Sequence, residues 1–176
     1  MSRPADSLSL MDAIEEVFPS STNVLVLEWG GVSVPLSFKY DVSWILLDAI
    51  EMIEQMLSAS TLGVVSVLFP SSSFQVEWEI TALEDDGIEI NATWNSVAGS
   101  VEGLLADRSP LRTEASAFIA EWRHLFAVVV RAIDEAQMPV EMIQDYDRLL
   151  KLSLAKHPDP GTPQATRGVK ESGSGA

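Results

Sequence analysis

The chain has no cysteine in its 176 residues, so disulfides, thiolate nucleophiles and cysteine-bound metals are excluded together. Histidine is almost as scarce. His124 and His157 are the only two, and neither has a Ser, Cys or Asp near it in a nucleophile motif; G-x-S-x-G does not occur. Basic residues are few, 11 Lys and Arg against 26 Asp and Glu, for a net charge of −15. That balance argues against nucleic acid, whose phosphates are held by Lys and Arg, and against anionic membrane surfaces. Long apolar runs are missing too. Phe126–Val130 is far short of the roughly 18–20 residues that cross a bilayer. Near the N-terminus Asp6, Asp12, Glu15 and Glu16 interrupt any export-signal core after Arg3, which leads to the expectation of a cytoplasmic protein.

Apolar residues are present at 47%, enough for a buried core, and the length suits one domain with a tail. We expect a single domain over 1–156. From His157 to Ala176 the chain turns to Pro, Gly, Ser, Thr and scattered charge, the composition of a flexible polar tail.

Periodicity supplies the elements. Asp6 or Ser7 is placed to cap a helix over Leu8–Val17. Val24–Trp29 and Val32–Phe38 read as strands joined by Gly30-Gly31, a hairpin signal because primed turns need positive φ. Pro35 lacks an amide and marks its strand as an edge or a bulge. Asp41 is a candidate cap for a helix over Val42–Leu57, and Val64–Phe69 reads as a central strand. Phe74, Val76, Trp78 and Ile80 alternate with Gln75, Glu77, Glu79 and Thr81. Beyond Glu84-Asp85-Asp86-Gly87, Ile88, Ile90, Ala92 and Trp94 alternate with Glu89, Asn91, Thr93 and Asn95. The two runs predict an antiparallel hairpin with one buried and one wet face. Val101–Leu105 is a candidate further strand. Thr113 is expected to cap a long helix to about Gln137, and a last amphipathic helix runs from Met142 to Leu150. The predicted class is α+β: an antiparallel sheet of about five to six strands with helices packed on one face.

Candidate chemistry is thin. Glu84-Asp85-Asp86-Gly87 lacks the alternating acids of a calcium loop and suits a turn, so no metal is expected there. Gly30-Gly31 is not a phosphate loop. Glu77, Glu79 and Glu89 lack the deep cleft a glycosidase needs to raise one carboxyl pKa. No catalytic residue and no cofactor is expected. His124, beside Arg123, reads as a solvated helix residue.

Charge distribution says more. Between Lys39 and Arg108 there are twelve acids and no base. Such a surface either keeps the protein soluble or steers a basic partner. The candidate partner-binding residues are Glu77, Glu79, Glu89 and Asn91 on the wet hairpin face, and Glu84, Asp85 and Asp86 at its turn. Trp29, at a strand end, and Trp44, off its helix's apolar stripe, are candidates for exposed contacts. Trp78, Trp94 and Trp122 are expected in the core.

From Phe74 to Ile133 the chain joins this hairpin, the strand Ile90-Asn91-Ala92-Thr93-Trp94 and a helix carrying Ala120-Glu121-Trp122. The layout resembles small acidic immunity proteins of bacterial polymorphic toxin systems. The resemblance implies a cytoplasmic, non-enzymatic inhibitor that neutralises a basic toxin by occluding its active site. The alternative is a small-molecule- or lipid-binding domain with a cavity between sheet and long helix. A deep apolar cavity there favours the second reading, and an acidic face without one favours the first.

Overall fold

A computed structural model describes residues 7–58 and 63–154. Asp6 and the tail from His157 lie outside them. Helix α1 covers Leu10–Val17, and its cap is Ser9 rather than Asp6 or Ser7. The Ser9 hydroxyl accepts the Asp12 amide at 3.1 Å, and the Asp12 carboxylate accepts the Ser9 amide at 3.4 Å, a capping box.

Strands β1 (Val24–Trp29) and β2 (Val32–Ser37) form the expected hairpin. Gly30 and Gly31 have φ of 55° and 85°, the positive pair a type I′ turn demands. At Gly30 a Cβ would lie 2.8 Å from the Arg108 Cβ, so close packing also requires glycine. A π-helical turn over Phe38–Val42 leads into α2, Ser43–Ser58. Asp41 lies inside that turn and is buried, so it does not cap α2 as expected. Its carboxylate accepts the Ser37 amide at 2.8 Å and the Ser71 and Ser73 hydroxyls at 2.5 and 2.6 Å.

Strands β3 (Val64–Ser71), β4 (Phe74–Ala82) and β5 (Gly87–Val97) follow as an antiparallel meander. Val101–Leu105, expected as a strand, instead belongs to a short helix α3, Glu102–Ala106. The apolar run there is too short for its period to separate strand from helix. The extra strand is β6, Leu111–Glu114, paired antiparallel with β5. Helix α4 spans Ala115–Glu135 and α5 spans Tyr146–Leu154, separated by a 3-10 turn at Val140–Met142. Thr113 therefore precedes α4 and β6 takes it up. The first turn of α4 is served from a distance: the Asp86 carboxylate accepts the Ser116 amide at 3.2 Å.

The fold is α+β, and its strands divide into two antiparallel sheets, β1-β2 and β3-β4-β5-β6, not one. Alternation along each strand could not reveal this, because sheet membership is a non-local property. On the larger sheet Val65, Val67, Phe69, Phe74, Val76, Trp78, Ile80, Ile88 and Ile90 are buried on one face, where α2 and α4 pack. Trp122 stacks on Phe69 with centroids 5.8 Å apart and meets Trp78 edge-on at 6.4 Å. Arg148 ties α5 to α2 through Glu54, at 2.6 Å, and also holds Asp145. The hydrogen bond from Arg148 holds the Glu54 carboxyl below its ordinary range. Among the described residues no helix is long and apolar enough to cross a membrane.

Candidate functional site

The outer face of the larger sheet carries the residues singled out from the alternation. Glu79 pairs across the ladder with Asn91, and Glu77 with Thr93. All four are exposed. Glu77, Glu79, Asn91 and Thr93, with Ser109 and Pro110, line a shallow depression of about 320 Å³. Neither glutamate has an ion pair among the described residues. Glu89 differs. It pairs with Thr81 across one ladder and Arg112 across the other, and Arg112 Nε donates to its carboxylate at 2.7 Å. The Glu89 side chain is partly buried and paired with Arg112, so the pair adds no net charge to the face.

The acids of the β4–β5 turn are set by backbone geometry. Asp85 and Asp86 both have positive φ, 54° and 62°, a conformation that Asp tolerates better than most residues. Asp86 also holds α4, through its carbonyl to the Ala115 amide at 2.7 Å and its carboxylate to Ser116. Of the turn acids it has a clear structural task, while Glu84 and Asp85 are exposed. Among the described residues no group of three or more His, Asp and Glu could hold a metal ion. His124 is exposed on α4.

Trp29 corrects its expectation as an exposed contact: it is only 1% exposed. It stacks against Trp78 at 5.5 Å and takes Trp94 edge-on at 5.0 Å. The indole N–H groups of all three are buried without a polar partner, and edge-to-face packing leaves π faces as weak acceptors. Trp44 is 51% exposed. It does not line the depression, so the acidic strip and Trp44 are separate surfaces.

The residues that sequence reasoning missed lie around a groove of about 850 Å³ between β1 and α4. Every residue of β1 from Val24 to Trp29 lines it. Phe118, Trp122, Leu125 and Val128 of α4 face them, and Leu111, Arg112 and Thr113 of β6 close one side. Its lining is mainly apolar. It is an open groove and not an enclosed cavity, since Trp78, Trp122, Phe69 and Phe126 fill the space between α4 and the larger sheet. The available signal was the unbroken run Val24-Leu25-Val26-Leu27, which leaves no polar face on a strand of a two-stranded sheet.

No family model, curated protein or solved structure matches this chain.

Proposed function

We propose that the chain is a non-catalytic binding domain of the inhibitor type, which takes a basic protein against the open face of its larger sheet. The observation that carries this reading is the pair Glu77 and Glu79, exposed, without ion pairs among the described residues, and set in a depression. Like charges outside any ion pair repel one another, and a complementary surface relieves that repulsion. The net charge of −15 points the same way. Neutralisation of a toxin in the cytoplasm by occlusion, as in immunity proteins, is the specific form of the proposal.

The test is recovery from native cells of proteins crosslinked to the tagged chain, compared with a Glu77→Gln/Glu79→Gln variant. A basic protein, of pI above about 9, should be enriched with the wild type and reduced at least tenfold, roughly, with the variant. Equal recovery by both chains, or no basic protein with either, defeats the reading.

The groove favours a second reading, uptake of an apolar small molecule or lipid, because its lining is mainly apolar and its volume falls in the range of ligand pockets. A fluorescent fatty acid that binds and alters the emission of the Trp29 and Trp78 cluster supports this alternative. Unchanged emission at saturating probe removes it.

A further inference from the structure

Strand β1 has two edges, and β2 occupies one of them. The two-residue turn makes Trp29 and Val32 a hydrogen-bonded pair. At the far end of the ladder the Phe38 amide donates to the Asn23 carbonyl at 2.9 Å, in the same phase. Leu25, Leu27 and Trp29 therefore direct their backbone groups to β2, and Val24, Val26 and Glu28 direct theirs away. No backbone partner meets those outward groups among the described residues. Since consecutive residues of β1 line the groove, it is the strand's edge that borders it.

The other edges of the two sheets are blunted. Opposite Val26 on β2 stands Pro35, which has no amide to offer, and Asp41 takes the next outward amide, that of Ser37. On β3 the same count from the Ser71–Phe74 pair puts Pro70 outward, and α2 packs against that strand. β6 has only four residues. Against these standard protections, β1 offers an apolar, unprotected edge, with Val26 56% exposed.

We propose that this edge takes an extended segment of a basic partner protein by strand addition, with the segment's apolar side chains lying in the groove. The inference rests on the reading of the chain as a binding domain for a basic protein. Main-chain hydrogen bonds to Val24, Val26 and Glu28 supply affinity, and the apolar lining selects alternate side chains. Charge identifies the occupant. Glu28 and Glu121 line the groove and have no ion pair among the described residues, so Lys or Arg on the segment finds a partner at the rim. A second copy of the chain would bring another charge of −15 and is opposed by it. Residues 155–176 hold three prolines and four glycines, poor material for a strand.

Displayed short linear peptides, selected on the full chain, provide the probe. Selected sequences should alternate β-branched or aromatic residues with Lys or Arg. Calorimetry then compares one such peptide on the wild type, Val26→Pro and Val26→Thr. The Val26 amide faces away from β2, so proline there spares the hairpin ladder and removes the central donor. Affinity should fall about tenfold or more for Val26→Pro and stay within about threefold for Val26→Thr. Should Val26→Pro not fold, the same peptide N-methylated at alternate residues must lose binding to the wild type. Hydrogen exchange should show the amides of Val24, Val26 and Glu28 fast in the free protein and slow with peptide. The proposal is overturned if no peptide is enriched or if binding survives both proline and N-methylation. Slow exchange of these amides in the free protein also overturns it, since the tail or a second copy then holds the edge. A peptide lost on Val26→Pro and indifferent to Glu77→Gln/Glu79→Gln keeps strand addition and removes the acidic sheet face from recognition. The reverse pattern removes strand addition alone.

Discussion

Ser73 donates its hydroxyl to the buried carboxylate of Asp41 at 2.6 Å, joining the β3–β4 turn to the turn that starts α2. Asp41 is only 3% exposed and makes no ion pair among the described residues. Its carboxyl oxygens accept hydrogen bonds from the Ser37 amide and the Ser71 and Ser73 hydroxyls. Removing the acceptor strands three donors, each at about 1 kcal/mol or more. Asp41→Ala should therefore cost about 3 kcal/mol and lower Tm by roughly 6–12 °C. Thermal denaturation followed by circular dichroism measures this. A melting point within a degree or so of wild type would contradict the assigned role.

Trp122 anchors α4 on the larger sheet, and the buried Phe126 packs against it. Trp122 is 9% exposed and touches Phe69, Trp78, Phe118 and Phe126. Truncation of Trp122 to Ala should cost about 3–5 kcal/mol, read as the shift in urea midpoint at constant slope. Trp44→Ala, at a half-exposed position, should cost less than about 1 kcal/mol by the same measurement.

The anchor and the β4–β5 hairpin were legible in sequence because both depend on local periods. Glu77 and Glu79 face outward because a one-residue slip would bury charge. What sequence could not reveal depends on which strands meet. Trp29 sits at a strand end beside two glycines and looks exposed in one dimension. The fold brings Trp78 and Trp94 against it. Glu89 belongs to the same alternating run as Asn91, yet β6 places Arg112 on it, and no local rule predicts pairing with a strand four residues long. The alternation suggests a cavity between sheet and long helix only in outline, and the place of the groove beside β1 depends on walls that are far apart in the chain.

Tyr146 is buried and donates its hydroxyl to Asp134 at 2.7 Å. Burial, and then the bond to Asp134, push its pKa up to about 12 from 10.0. In that interval the unfolded chain has lost the phenolic proton and the folded chain keeps it. Fewer protons bound to the unfolded state means that stability falls as pH rises. The contribution is complete below about pH 10 and is lost on passing through about pH 12. Tyr146→Phe should therefore flatten the decline of unfolding free energy between these pH values. Other groups titrate in the same window, so the difference between the two proteins is the informative quantity. Identical slopes for both would rule the linkage out.

If a basic partner docks on the outer sheet face, its association rate should fall steeply as salt rises. Glu77 and Glu79 act over a distance because neither is in an ion pair among the described residues. Attraction between separated charged surfaces raises the rate of encounter more than the lifetime of the complex. At about 0.15 M salt the Debye length is near 8 Å, so added salt screens encounter while leaving close contacts largely intact. Dissociation should depend on packing and main-chain bonds, and so should change little with salt. Glu77→Gln/Glu79→Gln removes two charges from an exposed surface and should change the unfolding free energy by less than about 1 kcal/mol. Surface-plasmon kinetics on the recovered partner should then show a slower association and a shallower salt slope, with dissociation unchanged. Glu89→Gln is the informative contrast. It frees Arg112 and breaks the β5–β6 cross-strand pair, so its effect should include a loss of up to about 1 kcal/mol of stability that the double variant lacks. An association rate and salt slope equal to wild type in the double variant would leave the acidic face with solubility as its only task.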